Sequence, residues 1–460
     1  MTHFIVADRK TDYLLPPSVN EWLGEDHLAR FVVEVIDQLD LSNLTRQYAG
    51  RGSKAHHPAT LLAILVYGYA TGVFSSRKLE TATYDSVAFR FIAANSHPDH
   101  DALATFRRRF LDELAALFVQ VLEMAQEMKL LKLGAVCLDG AKIHANASRH
   151  SALSHGHIVK LESHLKAEVQ ELLALAEKAD SANIPDGMNL PEEIKRREDR
   201  LSAMAVAKAK IAARTAERYA REKAQFDEKM LQREAKEKAT GKKLRGKTPT
   251  APEPGARDTD QINLTDEESR IMPVSGGGVE QCYNAQAAVD AQTMLVVATG
   301  LTQAPNDKEQ VQPMLATLQA QTGKLGAVQT LIADTGYCSQ KNILACEEAK
   351  TRPLIALARE DHHPHWRERH TEPTPLPEGA TPMQTMAHRL TTMAGRAAYA
   401  LRKQTVEPVF GIMAQGHPVK SVMGFRQFSL RGLKKVTGEW TLVCLAWNVK
   451  RMAVLRLKVG

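Results

Sequence analysis

Two short apolar runs that each end in an aspartate constrain this chain most. Residues 135–138 read Ala-Val-Cys-Leu and are followed by Asp139, and the later stretch "LIAD" ends at Asp334. A carboxylate in an apolar strand is costly unless it is paired with a cation or bound to a metal. Ligands of α/β proteins bind at the carboxyl ends of the sheet strands. We therefore expect the two aspartates to face one crevice, although they lie far apart in the chain.

The second half of the chain alternates between strand and helix patterns around these two acids. Apolar runs predict strands in the order 136–143, 282–290, 293–301, 328–333 and 352–358. Helical patterns separate the later strands, and a further helix from about 383 to 414 carries Glu407. This pattern is typical of an α/β sheet with flanking helices.

The three acids Asp139, Asp334 and Glu407 are candidates for one metal site. Three carboxylates at one spot repel each other unless cations neutralise them. Mg²⁺ prefers oxygen ligands, and two such ions together catalyse phosphodiester chemistry. The residues taken singly leave alternatives open, because Asp334 before "TGY" is also a natural turn former and Glu407 before Pro408 also reads as surface charge.

The N-terminal part, residues 20–130, is predicted to be all-helical. Short helices with tight turns carry basic side chains near their starts or on their faces, which are Arg77, Lys78, Arg107 and Arg108. This arrangement is compatible with helix-turn-helix docking on DNA. Many other helical domains share the same pattern, so the pattern alone leaves the function open.

Residues 157–238 form a second helical block, predicted to be an antiparallel hairpin. The net charge of the chain is +7, and residues 191–247 hold 18 Lys and Arg against 10 Asp and Glu. One segment therefore carries the whole positive excess, which indicates a polyanion as its partner. A solvated helix face explains the same charge equally well.

Other classes of protein are disfavoured by the composition. The five cysteines are scattered without a C-x-x-C pair, which favours a reducing cytoplasmic location over a disulfide framework or zinc knuckle. No apolar run is long enough to cross a membrane. The glycines at 276–278 lack the Lys and Ser/Thr of a phosphate loop. The His-rich stretch 360–370 lacks zinc spacing and is predicted to be a solvated loop.

Several stretches in fixed order resemble the DDE transposases of bacterial insertion sequences. They are "HPATLLAILVYGYATGVFSSRKLE", "PDHDALATFRRRF", "LDGAKIHANAS", "YNAQAAVD", "LIADTGYCS", "YALRKQTVEPVFG" and the tail from 424 to 452. Ordered motifs of this kind are far more specific than any one acid. The likeness covers nearly the whole chain, and only the helical hairpin and the linker after it lack specific motifs.

The resemblance implies roles for particular residues. Asp139, Asp334 and Glu407 would be the catalytic, metal-binding triad, with Mg²⁺ as the cofactor and Mn²⁺ as a substitute. Tyr399 and Arg402 would belong to the Tyr-x-x-Arg…Glu signature of the family, and helical spacing places them with Glu407 in an arc of about 140°. Arg402 would bind a DNA phosphate. Tyr399 would stack on or contact a displaced end nucleotide, with core packing as the alternative.

The resemblance also implies the fold. We expect an α/β protein with a ribonuclease-H-like mixed sheet and flanking helices, interrupted by a helical hairpin insertion and preceded by an all-helical domain. The predicted boundaries are 1–132 for the N-terminal DNA-binding domain, 133–156 for the first part of the catalytic domain, 157–275 for the hairpin and linker, and 276–460 for the remainder with the C-terminal helix.

The chain departs from the family pattern at two positions. Ala414 stands seven positions after Glu407, where family members often carry a basic residue, and Ala141 stands where Thr is often found. Neither change removes a metal ligand, but the first leaves one phosphate contact of the family unassigned in this chain.

The sequence thus predicts a transposase that cleaves DNA at terminal inverted repeats and transfers the 3′-hydroxyl ends to target DNA by two-metal chemistry. Its partners would be the element ends and the target DNA, which the protein would bind as a homo-oligomer. A membrane is not expected among its partners. Two alternatives remain: a catalytically silent DNA-binding regulator derived from a transposase, and a ribonuclease-H-like nuclease.

Overall fold

A computed structural model describes residues 18–48, 55–177, 189–241, 246–274, 277–358, 371–415 and 423–459. The chain divides into two compact units. The first consists of Met1–Asn146 and Ser269–Gly460, and the second consists of Ala147–Glu268. The His-rich stretch predicted to be a solvated loop, 360–370, lies outside the described residues, as does the first glycine of 276–278.

The N-terminal part of the first unit is helical, as predicted. Its described helices are α1 (Leu28–Gln38), α2 (Ser42–Thr45), α3 (Pro58–Thr71), α4 (Ser76–Asp85), α5 (Val87–Ile92), α6 (His100–Arg109) and α7 (Glu113–Glu127). The central one is α3, which begins with Pro58 in its first turn and ends at Gly72 in the left-handed conformation. Most side chains of α3 are buried, because it packs between α1 and the last helix of the chain.

The strands of the described chain are β1 (Ala135–His144), β2 (Ala152–Ser154), β3 (Gln261–Asn263), β4 (Arg270–Pro273), β5 (Val279–Asp290), β6 (Val296–Thr302), β7 (Thr330–Ala333) and β8 (Arg352–Ile355). Six of them form one mixed sheet in the first unit, with β1 at its centre. β5 pairs antiparallel with one edge of β1, and β7 pairs parallel with the other. β8 lies parallel beyond β7, while β4 and β6 pair with successive parts of β5. A mixed α/β fold is therefore confirmed.

Helices flank this sheet and complete the first unit. They are α10 (Val311–Ala320), α11 (Thr322–Leu325), α12 (Gln340–Glu348), α13 (Pro382–Thr391), α14 (Met393–Phe410) and α15 (Leu433–Val459). The last of these, α15, joins the sheet to the N-terminal helices, because it contacts β6 as well as α3 and α7. Trp440 donates its indole N–H to the backbone oxygen of Gln286 at 2.9 Å, and Asn448 exchanges two hydrogen bonds of 2.8 Å with the backbone of Val296.

The second unit contains two long helices, α8 (His155–Glu177) and α9 (Leu190–Thr240), and the two-stranded sheet of β2 and β3. Its small core is formed by Ile158, Leu165, Met204, Ala207, Ile211 and Ile262. Ion pairs join Glu162 to Lys208 and Glu168 to Arg197, so the helices run antiparallel. Each exposed pair contributes about 0–1 kcal/mol, which leaves the apolar stripe as the main stabilising contact.

All five cysteines are free thiols, and four of them are buried. No single helix in the described ranges is long and apolar enough to cross a membrane, although Pro58–Thr71 and Ser76–Asp85, bent by 96° where they meet, pass together on length and composition.

Candidate active site

Asp139 and Asp334 lie side by side on neighbouring strands. The parallel ladder between β1 and β7 ends where Leu138 pairs with Ala333. Asp139 is the next residue of β1, and Asp334 is the first residue after β7. The sequence placed Asp139 at the end of its apolar run, yet β1 continues to His144, because β5 goes on pairing with its other edge. Asp139 therefore stands at the point where one neighbouring strand ends and the other continues.

Asp334 forms the turn that the sequence allowed, and it also faces the guanidinium shared with the other predicted acids. Its Oδ1 accepts a hydrogen bond of 2.9 Å from the backbone N–H of Gly336 and so begins a 3-10 turn. Its Oδ2 is turned toward Arg402 on α14, with the guanidinium Nη2 at 3.6 Å. The turn thus fixes one oxygen of the carboxylate and leaves the other for the site.

Arg402 brings the three predicted acids together. Its Nη2 lies 3.0 Å from Asp139 Oδ2 and near Asp334, while its Nη1 lies 2.9 Å from Glu407 Oε1. Arg402 and Glu407 share α14, which packs on β1, β5 and β7 through the buried side chains of its last turns. One helix therefore delivers both a carboxylate and a cation to the end of the β1–β7 ladder.

Burial and charge oppose each other at this site. Burial raises the pKa of the Asp139 carboxyl to about 6, although Arg402 and the N–H of Gly140 favour its charged form. Desolvation also disfavours the charge on Arg402, but Asp139, Asp334 and Glu407 outweigh it and raise the pKa of the guanidinium above its ordinary value. The site is thus a cluster of partly buried carboxylates held by one shared positive charge.

Comparison with known protein families identifies both ends of the chain. Residues 17–109 match the model of a transposase domain, and residues 366–453 match the model of a transposase DDE domain. The chain carries transposase domains at both ends. The resemblance to the DDE transposases of insertion sequences is therefore confirmed. No curated protein and no solved structure matches the chain.

The two matched stretches include some predicted site residues and omit others. The second match contains Tyr399, Arg402 and Glu407, whereas Asp139 and Asp334 lie between the matches. Tyr399 is half-buried and lies on α14 three residues before Arg402. The roles of all five residues stay predictions. The side chain of Ala414 is outside the described part of the chain.

The basic residues predicted to contact DNA divide into two groups. Arg77 and Lys78 on α4 and Arg108 on α6 are exposed. Arg107 is only 8% exposed, and its guanidinium donates hydrogen bonds of 3.0 Å to the hydroxyl of Tyr69 and to the backbone oxygen of Phe74. The structure therefore gives Arg107 an internal contact that leaves little of its side chain for a DNA phosphate.

The donor atoms of this site fit a hard divalent cation. Mg²⁺ prefers carboxylate oxygens, and three carboxylates meet here. Within the described ranges no three His, Cys, Asp or Glu side chains are already grouped to hold a metal ion, because the acids meet at the guanidinium of Arg402 instead. The buried Nε of Arg402 has no hydrogen-bond partner in the part of the chain that the structure describes. The guanidinium is thus the cation that the three carboxylates share in this structure, and its Nε–H group is not used in that contact.

Sequence reasoning missed a buried polar group on β5. Asn284 and Gln286 are almost fully buried on β5, and both donate to Asp307 Oδ1, at 2.7 and 2.8 Å. The hydroxyl of Tyr337 donates to the other end of the Gln286 amide at 2.5 Å. The alternation of Asn284 and Gln286 in the otherwise apolar run "YNAQAAVD" places both on one face, and this pattern could have indicated a polar site.

We expect the effect of Asp139→Asn on stability to depend on pH. Folding raises the pKa of Asp139 from 3.8 to about 6, so proton binding by this carboxyl favours the folded protein. This contribution to the free energy of unfolding is full below pH 3.8 and is lost as the pH rises through about 6. The loss amounts to about 3 kcal/mol. Asn does not titrate, so the Tm of the variant relative to wild type should rise between about pH 4 and about pH 7. Thermal unfolding in EDTA measures this, and a constant difference would contradict the raised pKa.

Proposed function

We propose that this transposase cleaves DNA at the terminal inverted repeats of its element and transfers the freed 3′-hydroxyl ends to target DNA. The observation that carries the proposal is the meeting of Asp139, Asp334 and Glu407 at one guanidinium. These acids come from two adjacent strands and a late helix, so their convergence is a property of the fold. Carboxylates gathered around one positive charge are suited to hold divalent cations.

We infer further that the sheet is ribonuclease-H-like. In support, β1 has an antiparallel partner, β5, which pairs in turn with β6, and the parallel strands β7 and β8 follow on the opposite side. The chain leaves the first unit after Asn146 and returns at Ser269, which supports the second unit as a helical hairpin insertion in the catalytic domain.

Each residue of the site receives a role from its charge and contacts. Bound Mg²⁺, or Mn²⁺ in its place, would activate the attacking oxygen and stabilise the leaving oxygen. Asp139, Asp334 and Glu407 would hold the metal. Arg402 would then exchange its carboxylate partners for a DNA phosphate, to which a guanidinium binds through two parallel hydrogen bonds. Tyr399, one helical turn earlier on α14, would contact the end nucleotide.

DNA recognition is assigned to the N-terminal helices. α4 and α6 pack together, and His100 on α6 donates its backbone N–H to Glu80 on α4 at 3.1 Å. The exposed Arg77, Lys78 and Arg108 on these two helices are the proposed phosphate contacts. The basic segment 191–247 is a second candidate. However, several basic side chains of this segment already form ion pairs with acids of the second unit, among them Lys208, Lys210 and Arg218.

Incubation of the protein with Mg²⁺, a target plasmid and a linear DNA bearing the element ends tests the proposal. We expect end-specific cleavage followed by joined products, which sequencing of the junctions identifies. Since two ends react together, the active species should be a homo-oligomer on DNA. End-specific binding without any cleavage would favour the silent regulator, and cleavage that ignores the ends would favour the nuclease.

A further inference from the structure

Helices α3 and α4 have the geometry of a helix-turn-helix. Four residues, 72–75, join the two helices, which are bent by 96° where they meet. The turn begins at Gly72 in the left-handed conformation, and the N–H of Val73 donates to the backbone oxygen of Gly68 at 2.7 Å. Two helices at about 90–120°, joined by a short turn that contains glycine, define this motif, and in DNA-binding proteins its second helix enters the major groove.

Packing inside the first unit fixes the angle between the two helices. Leu79 of α4 is fully buried and lies against Gly68 of α3, where any side chain in place of the glycine would overlap it. Phe74 in the turn packs edge-on against the ring of Phe425, with the centroids 5.2 Å apart. The buried Arg107 donates to the backbone oxygen of Phe74 at 3.0 Å. The turn is therefore anchored on both sides, and α4 is held in one orientation.

α4 presents a polar face away from this core. Its exposed residues are Arg77, Lys78, Thr81, Tyr84 and Asp85. Arg77, Thr81 and Tyr84 follow one another at four and three residues, so they form one stripe along the helix. Within the described ranges neither Arg77 nor Lys78 forms an ion pair, and the first turn of α4 contains no acid. The start of this face is thus positive and accessible, which suits the phosphates of DNA.

Tyr84 is ordered although it is 55% exposed. Its ring stacks on that of His97, with the centroids 3.8 Å apart and the planes inclined by 13°. His97 in turn lies 3.1 Å from the hydroxyl of Thr83, which is on the buried side of α4. An exposed side chain that is already ordered loses little conformational freedom when a partner docks on it.

The neighbouring helix α6 is less suited to enter a groove of DNA. Asp99 caps its start and Asp101 lies in its first turn, and both are exposed, so this end repels phosphates. Arg107 is turned inward, which leaves Arg108 in the last turn as an exposed cation. α6 therefore supports α4 from behind and offers Arg108 to the DNA backbone.

We propose that α4 is the recognition helix of this transposase. It lies in the major groove of the terminal repeats, where Thr81 and Tyr84 contact base edges, while Arg77 and Lys78 hold its start on phosphates. The major groove, about 12 Å wide, accepts an α-helix, and a threonine methyl fits against the methyl group of thymine. The phenol hydroxyl both donates and accepts hydrogen bonds. This inference rests on the proposed function, because it names the residues that read the element ends.

Binding of the intact protein to two duplexes of equal length and composition tests the inference. One carries the terminal repeat and the other a scrambled sequence, and fluorescence anisotropy in EDTA gives both affinities without cleavage. We expect the double variant Thr81→Ala with Tyr84→Phe to lower the preference for the repeat about 10-fold or more and to bind the scrambled duplex as wild type does. Tyr84→Phe keeps the ring that stacks on His97, so the variant should remain folded.

Two further variants serve as comparisons. Lys78→Gln should weaken binding to both duplexes alike and lower the slope of log affinity against log salt by about 1, because a phosphate contact carries no sequence information. Thr317→Ala on α10 is the matched control and should bind as wild type does. The hydroxyl of Thr317, like that of Thr81, donates to the backbone oxygen four residues earlier.

The outcomes separate the two proposals. If wild type binds the repeat and the scrambled duplex equally, recognition of the element ends is wrong, and this inference is wrong with it. If wild type prefers the repeat and the double variant keeps that preference, or loses affinity for both duplexes alike, this inference alone is overturned.

A measurement on the wild-type protein tests the groove without any variant. Dimethyl sulfate methylates guanine N7 in the major groove and adenine N3 in the minor groove. We expect methylation of guanine N7 within the repeat to prevent binding of the protein. Interference at adenine N3 alone would place the protein in the minor groove and overturn the proposal.

Discussion

Asp139→Asn is expected to lower the rate of DNA strand cleavage by about a thousandfold or more. The substitution keeps the shape of the side chain and an oxygen for the N–H of Gly140. It removes the negative charge that lies 3.0 Å from the guanidinium and that a divalent cation would require. Cleavage of end-bearing DNA in Mg²⁺ measures the effect, and Asp334→Asn and Glu407→Gln should behave alike.

Measurement of DNA binding distinguishes a catalytic defect from loss of the folded protein. The three variants should bind the element ends as wild type does, because the proposed recognition residues lie on α4 and α6. Asp37→Asn, a substitution of the same kind at an exposed aspartate of α1, should cleave normally. A cleavage rate near that of wild type in Asp139→Asn would show that this carboxylate is not a metal ligand.

Glu439→Ala is expected to destabilise the first unit by about 3–5 kcal/mol. Glu439 is fully buried on α15 and accepts hydrogen bonds from the Tyr69 hydroxyl at 3.0 Å and from the backbone N–H groups of Ser429 and Leu430. Arg107 donates in turn to the Tyr69 hydroxyl. Without the carboxylate, the buried Arg107 loses its counter-charge and three donors lose their acceptor.

The free energy of unfolding in urea, measured for Glu439→Ala and Tyr69→Phe, tests the importance of this charge. Tyr69→Phe removes one hydroxyl and leaves Glu439 its two backbone donors, so its cost should be about 1–2 kcal/mol. Equal small losses in both variants would contradict a network that depends on the carboxylate. The cost of Glu439→Ala should also be insensitive to added salt, because the group is buried.

Much of the α/β framework could be predicted because its signals are local. The strand around Asp139, the two strands of 282–301 and the strand before Asp334 were all expected from short apolar runs, and each is present with shifted ends. The predicted helix from 383 to 414 is divided at Thr392, which caps α14 with its side chain. Such a break depends on one capping residue and is hard to distinguish from a continuous helical pattern.

The neighbourhood of the acids could not be predicted in the same way. Sequence motifs named Arg402 as a phosphate contact, whereas the structure pairs it with all three predicted acids. Arg107 was chosen as one of several basic residues on a short helix, yet it is buried against Tyr69. Nothing local to either arginine indicates its partner, because the partners come from distant parts of the chain.

The sequence by itself determined the element pattern, the acids at the ends of apolar runs and the resemblance to DDE transposases. These properties depend on residue type and spacing within a few turns of chain. Only the tertiary structure decided which cation the acids share and that Asn284 and Gln286 are buried against Asp307. It also decided which basic residues are exposed. Charge pairing and desolvation depend on distances across the fold, and those distances follow from strand register and helix packing rather than from neighbours in sequence.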